Sequence, residues 1–61
     1  MKAQQGQISD INKNIKNVNA DNIEIIAEGG SDNGETFNGT FIARIGKNKF
    51  KFEDGKITKR F

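Results

Sequence analysis

Neither cysteine nor histidine occurs among the 61 residues, and no apolar run approaches the length of a membrane span. Without cysteine there are no disulfide staples, no thiolate nucleophiles and no zinc sites of the usual kinds. Without histidine there is no imidazole acid–base chemistry. Stability must come from packing or from a partner chain, and a single domain of this length has a small core to draw on. The missing thiols leave the redox compartment open. Residues 1 to 6 lack the apolar core of a signal peptide, so the expectation is a soluble, cytoplasmic protein that engages no membrane.

Catalytic sets are missing as well. The eight carboxylates are spread over predicted turns and strand faces, with Glu24 and Glu28 expected on the wet face of the first strand. Paired-carboxylate chemistry needs two such groups flanking a pocket, for which a domain of this size has little room. The run Ser31-Asp32-Asn33-Gly34-Glu35 lacks the alternating ligands and distal glutamate of a calcium loop. Gly29-Gly30 and Gly34 lack the lysine and following helix of a phosphate loop. The triplet Asn38-Gly39-Thr40 matches the glycosylation sequon and is read as coincidence. The chain is therefore expected not to be an enzyme, and to bind no cofactor, metal or small molecule.

What the sequence does have is an uneven distribution of charge. Residues 1 to 39 hold three lysines against six acids, whereas residues 40 to 61 hold seven basic residues against two acids. The formal net charge is only +2, so the positive charge is local.

The pattern of apolar residues changes once along the chain. Residues 1 to 7 offer almost nothing to bury and are expected to form a flexible terminus, with a single small domain over 8 to 61. Ile8, Ile11, Ile15 and Val18 are spaced to share one stripe of a helix, expected over about residues 9 to 19 with Ser9 or Asp10 as its cap. The same spacing fits the core positions of a short coiled coil, which makes these four residues the candidates for self-association. Asn12, Asn14 and Asn17 oppose a helix, because asparagine competes for backbone hydrogen bonds. An extended N-terminal segment in an all-β fold is the alternative.

From residue 22 the period becomes two. A first strand through Ile23, Ile25 and Ala27 is expected to end at Gly29-Gly30, and a second to run from about Thr36 to Ile45. Gly39 inside the second strand predicts a bulge or the close approach of another backbone. A turn at Lys47-Asn48 would set Ile45 opposite Phe50 and Arg44 opposite Lys51. Asp54-Gly55 is the signature of a two-residue hairpin turn and sets Glu53 opposite Lys56, Phe52 opposite Ile57, Lys51 opposite Thr58 and Lys49 opposite Arg60.

These readings predict an α+β fold, with a short N-terminal amphipathic helix packed on a four-stranded antiparallel β-meander. One sheet face would be apolar, from Ile23 through Phe37, Phe41, Phe50 and Phe52 to Phe61. The other would carry Arg44, Lys49, Lys51, Lys56 and Arg60, the candidate residues for an anionic partner. All five phenylalanines would point inward, away from the stacking role that single-strand binders give to aromatics. The expected function is that of a non-catalytic protein-interaction or oligomerisation module, binding a protein partner or further copies of itself. Nucleic-acid binding by the basic face and a homotrimeric fibre or stalk segment of the kind viruses carry are the alternatives.

Overall fold

Alternation of period two from residue 22 onward produces a four-stranded sheet with one greasy side, and a short helix covers that side. The structure, a computed structural model, describes residues 2 to 61. Helix α1 spans Gln5–Asn14, a 3-10 turn spans Ala20–Asn22, and the strands are β1 (Ile23–Asp32), β2 (Phe37–Ile45), β3 (Asn48–Glu53) and β4 (Lys56–Arg60). The strands pair antiparallel in the order β1-β2-β3-β4. The architecture is the expected α+β meander, and its alternative, an all-β fold, is not formed.

The helix lies several residues earlier than its apolar spacing suggests. It begins at Gln5, so part of the segment expected to be flexible belongs to it; Met1 of that segment lies outside the described residues. Gln4 donates its backbone N–H to Gln7 Oε1 at 2.8 Å, which fixes the first turn. The helix ends at Asn14, whose amide donates to the Asp10 carbonyl at 2.7 Å and to the Gly55 carbonyl at 2.9 Å. Ile15 is already extended, with φ −133°, and Asn17 takes the left-handed conformation. Ile15 and Val18 therefore fall outside the helix, and the expected four-residue stripe is not one helical face.

The buried face of α1 is instead Gly6, Gln7, Asp10 and Ile11. Asp10 is 1% exposed, and its two carboxylate oxygens accept the Thr36 hydroxyl at 2.6 Å and the Phe37 N–H at 2.9 Å. Gln7, fully buried, donates its side-chain amide to Glu28 Oε1 at 2.8 Å. Its backbone N–H reaches Asp32 Oδ2 at 3.2 Å, so a carboxylate from the end of β1 sits at the positive end of the helix. Gly6 makes the approach possible, because a Cβ there would stand 2.5 Å from the Thr36 carbonyl oxygen.

The core between helix and sheet is Ile11 of α1 with Ile23, Ile25, Phe37, Phe41, Ala43 and Phe52 of the strands, and Ile8, Ile45, Phe50 and Ile57 pack around them. The Phe41 and Phe52 rings stack at 4.7 Å between centroids, and Phe37 meets Phe41 edge-on at 5.3 Å. The strand residues expected inside are buried or half-buried except Ala27, which is exposed, and Phe61, which is 60% exposed.

Two single-residue bulges change which residues share a face. In β1, Ile25 pairs with Ala43 and Ala27 with Ile42, leaving Ile26 as the extra residue, 45% exposed. Beyond it the alternation inverts. Glu28 and Asp32 turn to the helix side opposite Phe41 and Phe37, so Glu28 does not share the wet face with Glu24 as expected. In β4, Ile57 pairs with Phe52 and Lys59 with Lys51, leaving Thr58 extra. The expected pairings of Thr58 with Lys51 and of Arg60 with Lys49 are therefore replaced by Lys59 with Lys51 and Arg60 with Phe50.

Two further expectations shift. β1 continues through Gly29 and Gly30 to Asp32, because Gly30 lies opposite Gly39 and the two backbones approach too closely for any Cβ. Gly39 thus does meet another backbone, that of β1. The β2–β3 turn is Gly46-Lys47 rather than Lys47-Asn48, with φ +61° at Gly46 alone, as a type II′ turn requires. Arg44 consequently faces Lys49, and Ile45 faces Asn48. The Asp54-Gly55 turn forms as expected, with φ +50° and +82°.

Candidate functional site

Among the described residues, nothing forms a second layer on the face of the sheet opposite α1, and the candidate basic residues gather there. Reading across the ladder, Glu24, Arg44 and Lys49 form one row. Ala27, Ile42, Lys51 and Lys59 form the next, and Gly29, Thr40, Glu53 and Lys56 the third. Arg44, Lys49, Lys51 and Lys56 thus sit where the sequence placed them.

Arg60 does not. The Thr58 bulge turns it to the helix side, where its guanidinium lies 5.7 Å from the Phe50 ring centroid in a cation–π contact. Lys59 takes its place on the open face. Sequence reasoning missed Lys59 because a bulge residue such as Thr58 interrupts the alternation without any marker of residue type.

Like charges face each other twice on this surface, Arg44 across from Lys49 and Lys51 across from Lys59. Such pairs oppose strand pairing, and carboxylates relieve one member of each. Arg44 pairs with Glu24, and Lys51 with Glu53 at 3.5 Å. Both pairs are about half exposed and therefore modest in energy. Among the described residues, Lys49, Lys56 and Lys59 have no carboxylate in ion-pair contact.

Two larger apolar side chains complete the surface. Ile42, half-buried, sits near its middle. Phe61 lies at its edge: its backbone N–H donates to the Lys49 carbonyl at 3.1 Å, and Lys59 Nζ stands 5.1 Å from its ring centroid. The same bulge that turns Arg60 inward brings Phe61 out, so the expectation of five inward-facing phenylalanines fails at this one. An open depression of about 620 Å³ borders the face, walled by Glu24 and Arg44 together with Asp21 and Lys47.

The residues considered for self-association are divided by the structure. Ile11 lies in the chain's own core, Ile8 and Val18 pack at its margin, and Ile15 is half-buried beyond the helix. They do not present a common stripe. Among the described residues no cluster of three or more potential metal ligands occurs, and no helix is long and apolar enough to cross a membrane. No family model matches the chain, and neither a curated protein nor a solved structure is significantly similar to it.

Proposed function

We propose that this domain is a non-catalytic interaction module whose working surface is the open face of the sheet, and that its partner is a protein with an acidic patch. The observation that carries the reading is the combination on one sheet face of Ile42 and the exposed ring of Phe61 with the ammonium groups of Lys49, Lys56 and Lys59, none of them in an ion pair among the described residues. An apolar centre and an aromatic anchor beside a charged rim suit protein recognition. The cationic field speeds and orients encounter with an acidic surface. That field also disfavours pairing this face with a second copy of itself.

Single-stranded nucleic acid is the second reading, favoured by Phe61, since an exposed ring among lysines can stack a base. A stacking platform for successive bases has several rings, and this face offers one.

Charge reversal at Lys49, Lys51 and Lys59 tests the proposal. The folded wild-type chain is expected to retain a partner from nuclease-treated lysate that the triple Glu variant loses, and the isolated pair should bind with salt-sensitive affinity. Unchanged binding by the variant would sink the reading. Anisotropy with generic oligonucleotides at low salt discriminates the alternative: saturable binding lost in Phe61→Ala selects nucleic acid.

A further inference from the structure

The chain contains two Asn-Gly pairs, and the fold treats them differently. Asn38-Gly39 lies inside β2, where Gly39 is pressed against β1 so closely that a Cβ would meet the Gly29 carbonyl oxygen at 2.3 Å. Asn33-Gly34 lies in the exposed loop between β1 and β2, with open space around Gly34 and φ +90° there.

Four hydrogen bonds surround the second pair, one of them from the Asn33 N–H to the Thr36 carbonyl at 3.2 Å. The Gly34 N–H donates to Asp32 Oδ1 at 2.8 Å. The N–H groups of Glu35 and Thr36 both donate to Asn33 Oδ1, each at 2.9 Å. The remaining oxygen of Asp32 accepts the Gln7 N–H, so the start of α1 holds the carboxylate in place.

These contacts are the parts of an acyl-transfer site. Gly34 N is a nucleophile with a carboxylate base on its proton, and the side-chain carbonyl of Asn33 is an electrophile whose oxygen sits between two backbone donors. We propose that Asn33 is a self-modifying site, at which the folded loop converts the asparagine to aspartate and isoaspartate through a cyclic imide. Gly34 N attacks Asn33 Cγ as its proton passes to Asp32. The Cγ–Nδ2 bond breaks, and ammonia leaves carrying that proton. Water then opens the imide at either carbonyl, giving aspartate or, with one methylene more in the main chain, isoaspartate. Water is the only co-reactant, and no electrons are exchanged.

The product alters the fold's main junction. Isoaspartate lengthens the loop that carries Thr36, whose carbonyl abuts Gly6 and whose hydroxyl holds Asp10. The modification thus loosens the helix from the sheet without depending on what the open face binds.

Timed incubation of the full chain at neutral pH, with peptide mapping by mass spectrometry that distinguishes isoaspartate, tests the proposal. Asn33 is expected to convert about tenfold faster than Asn38, and Asp32→Asn to slow Asn33 by about tenfold while leaving Asn38 unchanged. Equal rates at the two asparagines, or an Asp32→Asn rate equal to wild type, overturns it. Should that variant fold poorly by its amide NMR spectrum, wild type unfolded in urea supplies the comparison. Native Asn33 is expected to convert faster than unfolded Asn33, and a slower native rate overturns the proposal.

Discussion

The carboxylate of Asp10, in the middle of α1, accepts the backbone N–H of Phe37, the first residue of β2, at 2.9 Å. With the Thr36 hydroxyl on its other oxygen, this side chain joins helix to sheet through hydrogen bonds rather than apolar contact. Asp10→Ala leaves both donors without an acceptor and is expected to cost about 1 to 3 kcal/mol. Asp10→Asn keeps one oxygen for Phe37, while its amide can donate to a rotated Thr36 hydroxyl, so its cost is expected to be smaller. Urea unfolding of the two variants checks the order.

Gly6→Ala tests helix propensity against packing. In an exposed helix the change gains up to about 1 kcal/mol. Here the new methyl would stand 2.5 Å from the Thr36 carbonyl oxygen and 2.6 Å from Asp32 Oδ2, which forces α1 off the sheet. The expected result is a net destabilisation of about 1 to 3 kcal/mol, read from the unfolding midpoint.

Two phenylalanines close in sequence are expected to behave oppositely. Phe52, fully buried and stacked on Phe41, should lose about 3 to 5 kcal/mol on truncation to alanine, a large share of what a domain this small possesses. Phe61→Ala removes an exposed ring and should stay within about 0.5 kcal/mol of wild type. Denaturation curves of the pair would reveal an error in the face assigned to either ring.

Thr58 is the unpaired residue of the β4 bulge, so deleting it should restore plain alternation while keeping Lys59 opposite Lys51 and Arg60 opposite Phe50. The shortened chain is expected to fold, with stability within about 1 kcal/mol of wild type. Cross-strand NOEs check the pairings. In wild type, a pairing of Lys59 with Phe50 in place of Lys51 would show that the bulge had been misplaced.

Much of the sheet was legible in the sequence because a strand with one buried side writes its period into the residue types. Phe37, Phe50 and Phe52 alternate with polar neighbours, and Asp54-Gly55 announces its turn. Gly46 carried an equally good signal for the preceding turn, that of a glycine at the first central position. The helix was misplaced because its buried face is largely polar: Gln7 and Asp10 point inward to hydrogen-bond with Glu28, Thr36 and Phe37, partners far away in sequence. A search for apolar spacing favours Ile15 and Val18 and passes over such residues. The bulges were harder still. The doublet Ile25-Ile26 hints at the first, whereas nothing about Thr58 betrays the second, and that one residue decides whether Lys59 or Arg60 joins the candidate surface.

Both bulges fall on the outermost strands, β1 and β4, while β2 and β3 pair without interruption. A kinked border offers an incoming strand a broken row of donors and acceptors, so the ribbon makes a poor template for growth. Edge-to-edge addition of strands, the step by which flat-bordered sheets of this size grow into stacked cross-β assemblies, is thereby disfavoured.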